Sequence, residues 1–106
     1  MQEVRITVIK RRFDKELVER YLTEELRGRF AACDQEVGQS YLIGDTVRCP
    51  EGLCPWAWRD IEPFVRIVAF EGKLEGGVPP DSWVRCCTDA LRPVTFLIEP
   101  APAAAE

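Results

Sequence analysis

The sequence predicts an α+β domain with a small, largely antiparallel sheet and two or three helices, in the order β-α-β-α-β-β. Apolar and polar residues alternate near both ends of the chain, as in half-buried strands, and helical periodicity lies between them. With 106 residues, 46% of them hydrophobic and 30% charged, the chain has the size of one domain with its own core. A sheet of roughly four strands that curls toward a small barrel is the alternative.

The first half of the chain is predicted to hold a strand, a helix and a second strand. Alternation over residues 4–8 indicates the first strand. Asp14 is a good N-cap and Gly28 a good stop, so a helix is expected between them. A short strand over residues 39–43 follows a loop. The helix has one apolar face, which is expected to lie in the core: Leu17, Val18, Tyr21, Leu22 and Leu26.

A helix start is predicted directly after Cys54, because Pro55 suits the first helical position. Pro63 is expected to interrupt this helix, since proline lacks the N–H group that a helix interior needs. We therefore predict a short helix, then a kink or a second helix over residues 63–70. The apolar residues of that segment also permit a strand.

The end of the chain is predicted to form a hairpin. An irregular loop over residues 72–80 precedes two strands, over residues 83–87 and 94–99, which a short connection joins. The predicted domain spans residues 1–99. The segment 100–106 is rich in proline and alanine and is expected to be a flexible tail.

Composition and charge exclude several kinds of function. Histidine is absent, which excludes mechanisms that need an imidazole base or ligand. The net charge is −4 and the only basic run is Lys10-Arg11-Arg12, so no nucleic-acid partner is expected. No apolar run reaches the ~20 residues of a membrane helix, and no membrane partner is expected. The N-terminus does not resemble a signal peptide, so the expected location is the cytoplasm.

The five cysteines carry most of the functional information: Cys33, Cys49, Cys54, Cys86 and Cys87. No Cys-x-x-Cys pair is present, so zinc-ribbon and thioredoxin spacings are both missing. Any shared site must therefore be assembled by the fold. Cys54 precedes a helix, where the dipole and free amides favour a thiolate. The alternative is that Cys54 only occupies the capping position of the helix, where a residue of its size fits.

Cys86 and Cys87 are adjacent at a strand end, where neighbouring side chains point to opposite faces. One of them is then expected in a shared site, unless the chain already bends there. Arg92 offers a guanidinium that can hold an anionic group of a ligand. The alternative is an Asp89–Arg92 pair that braces the hairpin.

Two tryptophans, Trp56 and Trp58, stand two positions apart on the predicted helix. Because such positions face different directions, they cannot both point into the core. One of them is expected to cover a pocket or an interface.

Residues 54–61 and 86–94 resemble motifs of a family of short bacterial and archaeal proteins without an assigned activity. Members of that family carry Cys-x-Trp-Ala-Trp and Cys-Cys-Thr-Asp-Gly-Leu-Arg-Pro-Val. In this chain Ala90 replaces the motif glycine, Asp34 replaces a usual proline, and Cys49 is additional. The resemblance implies a common site for the matched residues: Cys33, Cys54, Trp56, Trp58, Asp60, Cys86, Cys87, Asp89 and Arg92.

Three functions are compatible with these residues. In the first, Cys33, Cys54, Cys86 and Cys87 hold zinc or an iron–sulfur cluster, since four thiolates suit either. In the second, the chain is a thiol-based redox protein or enzyme. Cys54 is then the nucleophile, Cys86 or Cys87 the resolving thiol, and Arg92 binds a small anionic substrate. In the third, the thiols are buried and reduced, and the tryptophans mark a homo-oligomer contact.

Overall fold

The computed structural model describes residues 1–29, 33–79 and 81–101, and it confirms the α+β class. The strands form one antiparallel sheet in the order β2-β1-β4-β3, with the longer strands at its centre. Within the described ranges the edge strands do not pair with each other, so the sheet is open and not a barrel. The four strands are β1 (Val4–Arg11), β2 (Ser40–Ile43), β3 (Trp83–Cys86) and β4 (Val94–Pro100).

One face of this sheet forms the core. The antiparallel register places Ile6 beside Ile98 and Val8 beside Phe96, and all four side chains are fully buried. Their neighbours in sequence point to the opposite face, which explains the alternation in the sequence. The helix α3 (Pro55–Ala69) covers the buried face. Each large apolar side chain enclosed in this way contributes about 1.5–3 kcal/mol.

The helix predicted between Asp14 and Gly28 is in fact two short helices, the first being α1 (Lys15–Tyr21). Asp14 is its N-cap, as predicted, and its carboxylate accepts the Leu17 N–H at 3.0 Å. At Leu22 the backbone becomes extended, with φ of −92° and ψ of 149°. A residue in this conformation cannot continue a helix, so α1 ends there.

The second helix, α2 (Glu24–Arg29), starts at its own cap. The Thr23 hydroxyl accepts the Leu26 N–H at 3.2 Å. The break turns the two halves of the predicted apolar face away from each other. The expectation that this face lies in the core is therefore wrong: of its five residues Val18 is buried, whereas Tyr21 and Leu26 are exposed.

The second helix predicted from Pro63 is wrong, as is the strand alternative for this segment, because α3 continues through it as one helix. Pro63 has no N–H to donate to the carbonyl group of Arg59, so one helical hydrogen bond is missing. Its ring lies on the exposed side, while Ile61 and Val65 on either side of it are fully buried. Burial of these side chains outweighs the missing hydrogen bond and keeps the helix intact.

The connection between β3 and β4 is anchored to α3. The Asp60 carboxylate accepts hydrogen bonds from the backbone N–H of Thr88 at 2.8 Å and from its hydroxyl at 3.0 Å. The Cys87 N–H donates to the Val94 carbonyl at 3.0 Å and extends the hairpin. Asp60 thereby fixes the end of the predicted Cys-Cys motif against the helix.

At the C-terminus the chain stays ordered slightly beyond the predicted boundary at residue 99. Pro100 belongs to β4, and the Ala101 N–H donates to the Glu3 carbonyl at 2.9 Å. The remainder of the predicted tail, residues 102–106, lies outside the described residues.

Replacing Pro63 by alanine is expected to stabilise the protein by about 2 kcal/mol, because it restores a helical hydrogen bond. Urea unfolding of the two proteins measures this difference. Pro55→Ala is the matched control: both prolines are exposed in α3, but Pro55 lies in the first turn, where no hydrogen bond is lost. It should bring no gain. A less stable Pro63→Ala variant would mean that the proline ring itself contributes to packing.

Candidate functional site

A buried amide and a buried phenol form a polar pair near the start of α3. Gln35, with 5% of its surface exposed, is the buried polar residue of the described chain. Its Oε1 accepts the Tyr41 hydroxyl at 2.7 Å, and its Nε2 donates to the Gly52 carbonyl at 3.2 Å. The Tyr41 hydroxyl also lies 3.3 Å from that carbonyl oxygen. Both ends of the amide are therefore satisfied, as a buried polar group requires.

Arg11 secures the loop that carries Gln35. Its guanidinium donates to the carbonyl oxygens of Cys33 at 2.8 Å and Gln35 at 3.2 Å. This arginine comes from the predicted basic run, where it has a structural role at the end of β1. The loop, β2 and the segment before α3 are thus joined by hydrogen bonds at one place.

The segment before α3 is a tight turn. The Leu53 N–H donates to the Pro50 carbonyl at 3.2 Å. Gly52 has a φ of +90°, which favours glycine and is typical of the third position of a type II turn. The turn places Cys49 on one side and Cys54 on the other.

Cys54 is the N-cap of α3, as the sequence predicts. Its carbonyl accepts the Trp58 N–H at 2.9 Å, but its side chain makes no capping hydrogen bond. The residue is half-buried and packs against the edge of the core. The thiol is therefore held at the positive end of the helix without being used to close it.

The two tryptophans of α3 point in different directions. Trp56 is 66% exposed, and the Arg59 guanidinium lies over its ring, 4.5 Å from the centroid. Trp58 is half-buried and packs against the core. Trp56 and Arg59 together place a cation and an exposed aromatic ring on the first turns of α3.

The Cys49 sulfur lies over the turn, 3.7 Å from the carbonyl oxygens of both Pro50 and Leu53. Burial raises the pKa of the Cys49 thiol, and negative charge on Cys54 raises it further. Although its sulfur is partly enclosed, Cys49 as a residue is exposed and lines a surface cavity of about 260 Å³. Small molecules can therefore reach this thiol.

Burial, a hydrogen bond and nearby charged groups all affect the pKa of the Tyr41 hydroxyl. Burial raises the pKa of Tyr41 above its ordinary value, and the hydrogen bond with Gln35 lowers it. Negative charges on Asp34, Cys33 and Cys49 raise the Tyr41 pKa further. Because the pKa is raised, the hydroxyl keeps its proton at neutral pH and remains a donor to Gln35. Cys33 and Cys49 thus both lie close enough to the buried Tyr41 side chain for their charge to affect its pKa.

The adjacent cysteines at the end of β3 lie on opposite sides of the sheet. Cys86 is exposed, whereas Cys87 is half-buried and packs against the core. The Val94 N–H donates to the Cys87 sulfur at 3.3 Å. Cys87 is therefore turned inward, and Cys86 faces away from it.

The structure does not assemble a metal centre from these cysteines. Across residues 1–29, 33–79 and 81–101, no three cysteine or carboxylate side chains form a group that could hold a metal ion. The zinc or iron–sulfur site of Cys33, Cys54, Cys86 and Cys87 stays a prediction, and their arrangement does not support it.

Asp89 and Arg92 brace the hairpin, which is the alternative weighed against a ligand clamp. Asp89 Oδ1 accepts the N–H groups of Leu91 at 3.0 Å and Arg92 at 3.2 Å. Its Oδ2 accepts the Arg92 Nε–H at 3.0 Å. The guanidinium that was expected to bind an anionic substrate is thus engaged by its own turn.

A cavity of about 530 Å³ lies at the opposite end of α3. Ile67 and Trp83 line it together with the loop over residues 71–79. No cysteine borders this cavity. Its walls offer no thiol chemistry, and we do not place the candidate site there.

Sequence reasoning missed Gln35, Tyr41 and the role of Cys49. Gln35 lies in a loop and has no periodic signal. Tyr41 stands on the apolar side of a short strand, where a hydroxyl must find a partner. That requirement, together with the turn residues Pro50-Glu51-Gly52 in the sequence, was the signal available for this contact.

No family model, curated protein or solved structure matches the chain. The resemblance to the family of short bacterial and archaeal proteins therefore remains an expectation. Among the described helices none has both the length and the apolar character needed to cross a bilayer.

Replacing Tyr41 by phenylalanine leaves the buried Gln35 Oε1 without its donor and should destabilise the protein by about 1–3 kcal/mol. Tyr21→Phe is the control, because Tyr21 is 70% exposed, and it should change stability by less than about 0.5 kcal/mol. Urea unfolding measures both values.

The same variants test the raised Tyr41 pKa through pH. A raised folded pKa contributes stability that is present below the unfolded value, about 10, and is lost as pH rises through the folded pKa. Wild type and Tyr21→Phe should therefore lose more stability above about pH 10 than Tyr41→Phe does. Equal losses in all three proteins would contradict this assignment.

Proposed function

We propose that this chain is a small thiol-based redox protein in which Cys54 attacks the sulfur–sulfur bond of a disulfide substrate. The observation that carries the proposal is the position of the Cys54 side chain at the N-terminus of α3, half-exposed and free of a capping hydrogen bond. The first-turn N–H groups have no partner inside a helix. They are hydrogen-bond donors available to an anionic group that enters at this end of the helix.

The other thiols are less suited to the first attack. The pKa of Cys49 is raised by its surroundings, so Cys49 is mostly protonated at neutral pH. Cys87 is turned toward the core, and Cys86 lies on a strand, which has only a small net dipole. The Cys33 thiol is engaged as a donor to an Asp34 carboxylate oxygen at 3.8 Å.

Two side chains on the first turns of α3 favour a small substrate with anionic groups. Arg59 supplies positive charge on the surface of α3, and Trp56 supplies an exposed aromatic ring. In this proposal Arg59 takes the part that the sequence assigned to Arg92. The proposed location is the cytoplasm, where cysteines are kept reduced and are available for exchange.

In reduced protein at pH 7, iodoacetamide is expected to modify Cys54 several times faster than Cys49, because the thiolate is the reactive form. Peptide mapping by mass spectrometry after short reaction times measures the two rates. Cys86→Ser is the control variant and should leave this order unchanged.

Two results would contradict the proposal. One is faster modification of Cys49 than of Cys54. The other is zinc or iron retained in stoichiometric amount by anaerobically purified protein and lost in Cys54→Ser, which would indicate metal binding in place of exchange.

A further inference from the structure

A second thiol lies beside Cys54, and it is not one of those that the sequence analysis paired with it. The hydrogen bond between Leu53 and Pro50 folds the chain back, so that Cys49 and Cys54 flank the turn directly. Cys54 is also close enough to Cys49 for its charge to raise the pKa of the Cys49 thiol. The Cys49 sulfur is already 3.7 Å from the carbonyl oxygen of Leu53, the residue before Cys54.

We propose that Cys49 is the resolving thiol for Cys54, and that the two form a reversible disulfide by exchange with a low-molecular-weight disulfide. This inference rests on the proposed attack by Cys54. It replaces Cys86 and Cys87 in the resolving role.

The exchange takes place in two steps that balance. The Cys54 thiolate attacks one sulfur of the disulfide, the bond between its two sulfurs breaks, and one small thiolate leaves and takes up a proton. Cys49 then loses its proton to solvent and attacks the Cys54 sulfur, and the second small thiolate leaves. The protein loses two electrons and two protons, and the small disulfide is reduced to two thiols.

Electrostatics favour this order. In the reduced protein, burial and the charge of Cys54 raise the pKa of Cys49. Once Cys54 is part of a mixed disulfide it carries no charge, so the smaller of these two causes is removed, while burial still acts on Cys49. Cys49 therefore loses its proton more easily in the second step than in the first.

Two of the other thiols are placed differently: Cys86 is exposed on the sheet face that α3 does not cover, and Cys87 is turned toward the core. The Cys33 thiol donates a hydrogen bond to Asp34. Cys49 and Cys54 flank the same turn, and the charge of Cys54 acts on Cys49.

The test uses the full chain, reduced and then treated with glutathione disulfide. Reactions are stopped with acid, free thiols are alkylated, and peptides are mapped by mass spectrometry. Wild type should form a Cys49–Cys54 disulfide with little mixed disulfide. Cys49→Ser should accumulate a Cys54–glutathione mixed disulfide that lives about tenfold longer or more, because attack within one chain has a high effective concentration. The matched control is Cys86→Ser, an exposed cysteine that should behave as wild type.

The outcomes separate the two proposals. If the mixed disulfide forms on Cys54 and persists equally in wild type and Cys49→Ser, the exchange function stands and the resolving role of Cys49 is overturned. A disulfide from Cys54 to Cys33, Cys86 or Cys87 overturns it as well. If Cys54 is not modified in wild type, the proposed function itself fails. Resolution that becomes faster as pH rises, in wild type alone, supports deprotonation of Cys49 as the second step.

Discussion

The hydrogen bond between the Tyr41 hydroxyl and the Gln35 amide is the contact on which the candidate site depends. A buried amide without partners costs several kcal/mol, so its two ends must be satisfied inside the protein. One partner is Tyr41 on β2, and the other is the Gly52 carbonyl in the turn before α3. Two hydrogen bonds thus join the loop, the sheet and the turn. The core packs α3 along its whole length, and this polar contact holds the turn that leads into the helix, and with it Cys54.

Most of the fold is predictable from the sequence because one-sided burial produces period-2 strands around a helical segment. The errors arise where local chemistry competes with periodicity. Leu22 continues the apolar spacing of α1, but Thr23 followed by two acidic residues is itself a helix start, and a second cap ends the first helix. At Pro63 the opposite happens. The local rule predicts a break, and burial of Ile61 and Val65 in the core overrides it.

Within the candidate site, the sequence predicts only those residues whose position is set by a single helix or turn. Cys54 is identifiable because Pro55 marks a helix start, and the brace between Asp89 and Arg92 follows from the short turn between them. The position of Cys49 relative to Cys54 depends on how the chain folds between them. The sequence indicates a turn at Pro50, but it does not show that this turn brings the two cysteines to its two sides. Gln35 could not be found, since nothing in a loop sequence shows which polar side chain is buried.

The charge of the Cys33 and Cys49 thiols affects Tyr41, which forms the buried hydrogen bond with Gln35. Negative charge on Cys49 raises the pKa of Tyr41, and burial raises the pKa of Cys49 itself. Stability that depends on a protonated Cys49 is present below the unfolded pKa, about 8.5, and is lost as pH rises through the folded value. The proposed disulfide between Cys49 and Cys54 removes the Cys49 thiol from this titration. Cys49 then carries no charge, so one of the causes that raise the pKa of Tyr41 is absent as well.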